Sequence, residues 1–192
     1  MSILDIAKNF NDSDTIVYLS IPEINITFQT RILRVADDVI VLENTIPIEH
    51  IDAATESKEF YLQLGMTKLD SDTIASDGIN ILFPFNTMTE IKETRGAERF
   101  SFHKDEKVIC RLLNPLDNTT WIERPLVDMS DSGLSIACTN TSPLFCAGRT
   151  FDRIEILLDG DPYTKTKGKV VYSRPVIDLA GQLFVQVGFA TL

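Results

Sequence analysis

Leu126-Val127-Asp128-Met129-Ser130-Asp131-Ser132-Gly133-Leu134-Ser135-Ile136 reads as the end of one strand, a tight turn and the start of the next. Apolar and polar residues alternate with a period of two on either side of a cluster of Asp, Ser and Gly, the residue types that turn a chain. The same rhythm runs outward from this hairpin. Strands are expected near Lys107–Leu113, Thr120–Met129, Gly133–Thr139, Arg153–Leu158, Thr166–Arg174 and Leu183–Ala190. Turn signals fall between them at Asn114-Pro115, Asp131–Gly133, Asp159–Pro162 and Ala180-Gly181, a spacing that predicts a six-stranded antiparallel barrel. Closing such a sheet on itself removes its exposed edges.

The first half keeps the period of two. Strands are expected near Thr15–Ser20, Asn25–Val35, Val39–Glu43, Glu59–Leu69 and Ile79–Phe85, with turns at Ala36–Asp38 and Ser76–Gly78. Asp77-Gly78 is a hairpin pair, because glycine tolerates the positive φ that such turns require. Short amphipathic helices are expected over Ser2–Asn11 and Ile48–Ser57. The fold class is therefore mostly β: a C-terminal six-stranded barrel preceded by a second small β domain.

Charge separates the two halves. Residues 1–90 carry 5 Lys+Arg against 15 Asp+Glu, whereas 91–192 carry 13 of each, so the net charge of −10 arises in the first half. That asymmetry, next to the polar stretch Asn86–Glu98, predicts a small domain over 1–90, a connection over 91–99 and the barrel over 100–192. A surface so acidic repels nucleic-acid polymers, whose affinity comes from clustered Lys and Arg. It leaves room for a small anion held by a few local arginines.

Cys110, Cys138 and Cys146 are odd in number and lack Cys-x-x-Cys spacing, so neither a disulfide framework nor a metal site is expected, and all three read as buried reduced thiols. His50 reads as a surface residue. The segment Met1–Ile6 lacks the basic region and apolar run of a secretory signal, and no apolar stretch nears the ~20 residues of a membrane span. A cytoplasmic protein is the expectation.

Two short patterns carry chemistry. Arg95-Gly96-Ala97-Glu98-Arg99 sets two arginines four residues apart ahead of the barrel, and Asp128-x-Ser130-x-x-Gly133 closes its first hairpin. A guanidinium is a planar fork of donors that fits a phosphate bidentately, fits the O6/N7 edge of guanine and stacks on a purine. Asp128 is an acceptor, and its natural partner on a nucleobase is the N1–H and N2–H₂ edge of guanine. Ser130 lies on the same strand face and adds a hydroxyl, while Gly133 lets the backbone turn and lets a base come close. Taken singly, the arginines read as a solvated face and the Asp-Ser-Gly pattern as a plain capped turn. Together they describe a guanine nucleotide site.

In this combination and order the chain resembles the PilZ family, whose hallmark is Arg-x-x-x-Arg in a lead-in segment followed by Asp/Asn-x-Ser-x-x-Gly in a six-stranded barrel. The resemblance covers roughly 91–192 and extends to Gly133-Leu134-Ser135-Ile136, Gly168-Lys169-Val170-Val171 and Val187-Gly188-Phe189. It implies a receptor for cyclic di-GMP in which Arg95 and Arg99 grip phosphate and guanine while Asp128, Ser130 and Gly133 hold a guanine edge. Many members carry a further arginine where this chain has Thr94, a departure that is expected to weaken binding. Arg174, at the end of a closing strand, reads as a surface arginine within reach of the ligand. The first half is similar in size and strand content to the N-terminal β domain of the flagellar brake branch.

The resemblance implies no cofactor beyond that ligand, no enzymatic activity, and an unidentified protein partner such as a flagellar motor or other effector machinery. Ordering of Thr94–Arg99 around the ligand would change the arrangement of the two domains. The rival reading is a PilZ-like scaffold that works by protein contact and binds no nucleotide. Hydrolysis by Ser130, Asp128 and His103 is disfavoured, since the sequence has neither a Gly-x-Ser-x-Gly elbow nor a Walker loop.

Overall fold

A computed structural model describes residues 3–11, 15–36, 38–65, 67–85, 92–93, 100–102 and 106–192. The chain forms two compact units, residues 1–96 with 175–183 and residues 97–174 with 184–192. Among the described residues, no helix is long and apolar enough to cross a membrane.

The first unit contains α1 (Ile3–Asn11), β1 (Val17–Ile21), β2 (Ile26–Thr30), β3 (Ile32–Val35), β4 (Val39–Glu43), α2 (Ile48–Glu56), β5 (Phe60–Leu64), β6 (Thr67–Ser71), β7 (Ala75–Ser76), β8 (Asn80–Pro84) and β9 (Lys92–Glu93). One sheet runs β2-β1-β5-β6-β9 and the other β3-β4-β8-β7. The stretch Asn25–Val35, expected as one strand, is two: it breaks at Arg31, so that β2 joins one sheet and β3 the other. Alternation continues almost unbroken across the change of sheet, which hides it from a reading of period alone. Glu59–Leu69 likewise divides into the hairpin β5–β6, turned through Gly65 at φ +55°. At Asp77-Gly78 the expected turn forms, with the Asp77 carboxylate accepting from the amides of Ile79 and Asn80 and Gly78 at φ +90°. Leu19, Phe28, Leu42, Phe60, Leu62 and Phe83 are fully buried in the core of this unit.

His50 departs from the surface position expected of it. It is half-buried, its ring 6.4 Å from that of Phe28 in an edge-on contact.

The second unit contains β10 (Phe100–Ser101), β11 (Val108–Leu113), β12 (Trp121–Ser130), β13 (Gly133–Cys138), β14 (Thr150–Leu158), β15 (Asp161–Ile177, of which Asp161–Arg174 lie here) and β16 (Leu183–Thr191). Their pairing order β14-β11-β12-β13-β16-β15 closes through a β14–β15 pairing, so the six strands form a barrel. Inward-facing apolar residues alternate along β11, where Val108, Cys110 and Leu112 are buried. Phe145, Phe151 and Phe189 meet in the core, with Phe151 and Phe189 edge to face at 5.5 Å. Cys110 and Cys138 are buried free thiols in this core, and burial, with Cys138 adjacent, pushes the Cys110 thiol up to about 12. Cys146 differs from expectation in being exposed, because it follows a short 3₁₀ turn at the surface, Pro143–Phe145.

Pro175–Leu183 lies within 100–192 in sequence but packs in the first unit. Val176 and Ile177 pair in parallel with Thr27 and Phe28 of β2, and both are buried. Val176 and Ile177 gain cover on β2, while Ala180, Gly181 and Gln182 in the turn that follows stay exposed. Asp178 caps that turn, its carboxylate accepting from the amides of Ala180 and Gln182 at 2.9 Å each.

Candidate ligand site on the barrel hairpin

The sequence pattern Asp128-x-Ser130-x-x-Gly133 folds as the β12–β13 hairpin. Ser130 pairs with Gly133, Met129 with Leu134 and Asp128 with Ser135, above an irregularity in register between Leu126 and Asp128. The two strands hold Asp128 and Ser130 on one face, while Leu134 and Ile136 turn the other way into the core. Ser130 Oγ lies 3.3 Å from the carbonyl of Gly133 and 3.4 Å from Ser132 Oγ, so the hydroxyl is placed by the turn that follows it.

Gly133 does not have the role expected of it in the turn, since its φ is not positive. A side chain is excluded for another reason: a Cβ there would stand 2.3 Å from the carbonyl oxygen of Phe189 in β16. The close backbone approach made possible by glycine is thus to a neighbouring strand of the barrel.

Asp128 is only 4% exposed, Ser135 0% and Gln186 1%, which makes this a buried polar cluster. The Gln186 amide nitrogen donates to Asp128 Oδ2 at 3.2 Å and to Ser135 Oγ at 2.9 Å. Its carbonyl oxygen accepts from Arg174 Nε at 3.1 Å and from the second guanidinium nitrogen at 2.9 Å. Arg174 is therefore not a plain surface arginine: it is half-buried, spends its fork on Gln186 and lies 5.3 Å from the centre of the Tyr172 ring. Tyr172 in turn rests on Gly188, where a Cβ would meet the ring at 2.1 Å.

Sequence reasoning singled out Asp128, Ser130, Gly133 and Arg174 and missed Gln186, Ser135 and Tyr172. A signal for Gln186 was present in Leu183–Phe189, where one polar residue interrupts an apolar closing strand. Arg95, Arg99, Thr94 and His103 lie outside the described residues. The chain re-enters the described structure at Phe100, next after Arg99, and there β10 pairs Phe100 with Met129 and Ser101 with Asp128. Among the described residues, no cluster of three or more His, Cys, Asp or Glu is placed to hold a metal ion.

No family profile and no curated protein matches the chain. Solved structures do. The MrkH–c-di-GMP complex of K. pneumonia aligns over 99% of this chain and 84% of its own at 15% identity, with a TM-score of 0.65. A second structure of MrkH, described as a c-di-GMP-dependent transcription regulatory factor, aligns over 99% and 82% at 15% identity with a TM-score of 0.62. YcgR of Escherichia coli in complex with c-di-GMP aligns over 98% and 80% at 13% identity with a TM-score of 0.55. Likeness at such identities speaks to fold. With a closed six-stranded barrel behind a first β unit, and with these neighbours along its length, the chain has the two-domain PilZ-type fold.

Proposed function

We propose that the protein is a receptor for cyclic di-GMP, which it holds by a guanine edge on the β12–β13 hairpin. The observation that carries this reading is the buried carboxylate of Asp128, fixed beside Ser130 and Gly133 on a rigid sheet. An acceptor held in a low-dielectric setting rewards a ligand that brings donors, and the N1–H and N2–H₂ groups of guanine are such donors. Arg95 and Arg99, which precede Phe100 in the sequence, grip phosphate and guanine. The fold shared with MrkH and YcgR, each solved with c-di-GMP, supports the same assignment.

The output is an altered disposition of the 91–99 connection, read by a protein partner of motility, surface-growth or secretion machinery. A cytoplasmic setting suits the free thiols Cys110, Cys138 and Cys146. The chain acts by binding, as a receptor, and not by catalysis.

Isothermal titration of cyclic di-GMP into the protein and into Arg99→Ala tests the reading, with GTP and cyclic di-AMP as controls. Loss of one charged partner costs ~2–5 kcal/mol, so the variant is expected to bind at least roughly 30-fold more weakly. Absence of heat and of any thermal shift in the parent would leave the protein-contact scaffold as the better account. Small-angle scattering with and without ligand tests the output step, which requires the two profiles to differ.

A further inference from the structure

We infer that Gln186 is a positioning residue that sets the guanine selectivity of the site, with Arg174 locking its amide in the required sense. The inference rests on the cyclic di-GMP reading and adds a device to it. Gln186 sits in β16, on a strand carrying neither motif, and is 1% exposed. An amide has a donor end and an acceptor end, and which end faces a neighbour depends on what else it touches. Here Arg174 fills the acceptor end twice, at 2.9 and 3.1 Å, and a guanidinium can only donate. The NH₂ end is thereby directed at Asp128 Oδ2 and Ser135 Oγ.

One consequence follows for Asp128. A donor on one carboxylate oxygen fixes the rotation of the group, and so fixes where the other oxygen stands. A carboxylate held as an acceptor suits the donor edge of guanine and opposes adenine, which presents an acceptor at the corresponding ring nitrogen. Gln186 and Arg174 therefore act on the base through Asp128.

The test is a set of titrations with cyclic di-GMP and cyclic di-AMP on the full chain, on Gln186→Leu, on Arg174→Met and on the double variant, with near-ultraviolet circular dichroism to confirm folding. Gln186→Leu removes the donor at similar size and should weaken cyclic di-GMP binding by about 10- to 100-fold while lowering its preference over cyclic di-AMP. Arg174→Met should lower the same preference to a smaller degree, and its effect should vanish once Gln186 is Leu, because Arg174 acts through Gln186. If Gln186→Leu does not fold, the half-buried Arg174→Met decides alone through the preference ratio. A parent that binds cyclic di-GMP and variants that keep both affinity and preference would overturn the inference and leave the receptor reading intact. Additive losses would also overturn it, by making Arg174 a direct ligand contact. A parent that binds neither dinucleotide would remove the receptor reading and the inference with it.

Discussion

The demand that Gly133 answers comes from the strand beside its hairpin, and it could not be read along the chain. The Asp-Ser-Gly cluster marked a turn, and Asp128 and Ser130 emerged with it because polar residues broke an apolar rhythm. The carbonyl of Phe189, 2.3 Å from where a Cβ would stand, comes from far along the sequence. Gly133→Ala must therefore push against backbone that has no rotamer to change. The expected cost is ~1–3 kcal/mol in denaturant unfolding, with weaker cyclic di-GMP binding because β13 shifts beneath Asp128. Gln186 stayed hidden for a related reason: its bond to Asp128 spans a sequence separation of 58, and a lone Gln in a strand announces no partner. Gly188 is similar, its Cβ position already taken by the Tyr172 ring.

Among elements, the barrel strands were the most legible, since short alternating runs between strong turn residues fix both number and direction. Where the chain changes sheets at Arg31 the alternation carries on and two strands read as one, whereas at Gly65 the buried positions change phase, from Phe60, Leu62 and Leu64 to Thr67 and Leu69, across a turn marked by a single glycine. The β11–β12 turn shows how local chemistry secures an element. Asp117 accepts from the amides of Thr119 and Thr120 at 2.9 and 3.0 Å and from the Thr120 hydroxyl. Those bonds, the Thr120 hydroxyl first, hold its carboxyl down at about 2 from an ordinary 3.8. A depressed acid pKa contributes stability that is complete above the unfolded value and is lost as pH falls through the folded one. Asp117→Ala should thus lower the urea midpoint at neutral pH, and the gap between variant and parent should close as pH drops from 3.8 toward about 2. Within the barrel core, Phe151→Ala removes a ring stacked on Phe145 and edge-on to Phe189, and should cost ~3–5 kcal/mol in the same assay. The only tryptophan, Trp121, lies in β12 with the Arg111 and Arg153 guanidinium groups 4.7 and 5.1 Å from its ring, so its fluorescence reports the second unit.

At the scale of the whole chain, composition suggested where one domain gives way to the next, through the acidic excess of residues 1–90. It could not reveal that Pro175–Leu183 completes the first unit, because two apolar residues in a late strand look like any others. Ile177 is 3% exposed among residues such as Phe28. Ile177→Ala, a change near the end of the sequence, should therefore reduce amide-exchange protection at Leu19 and Phe28 more than at Cys110 and Ile136, by an amount equivalent to ~2–4 kcal/mol. Equal losses in both units would contradict the assignment of this segment. Whether a guanine dinucleotide sits on the β12–β13 hairpin is read by titrating cyclic di-GMP into isotope-labelled protein and following backbone and side-chain amides. The largest shifts are expected at Asp128, Ser130, Gly133 and the Gln186 side chain, with none from GTP at equal concentration. Saturating cyclic di-GMP that leaves those four signals in place would contradict that placement.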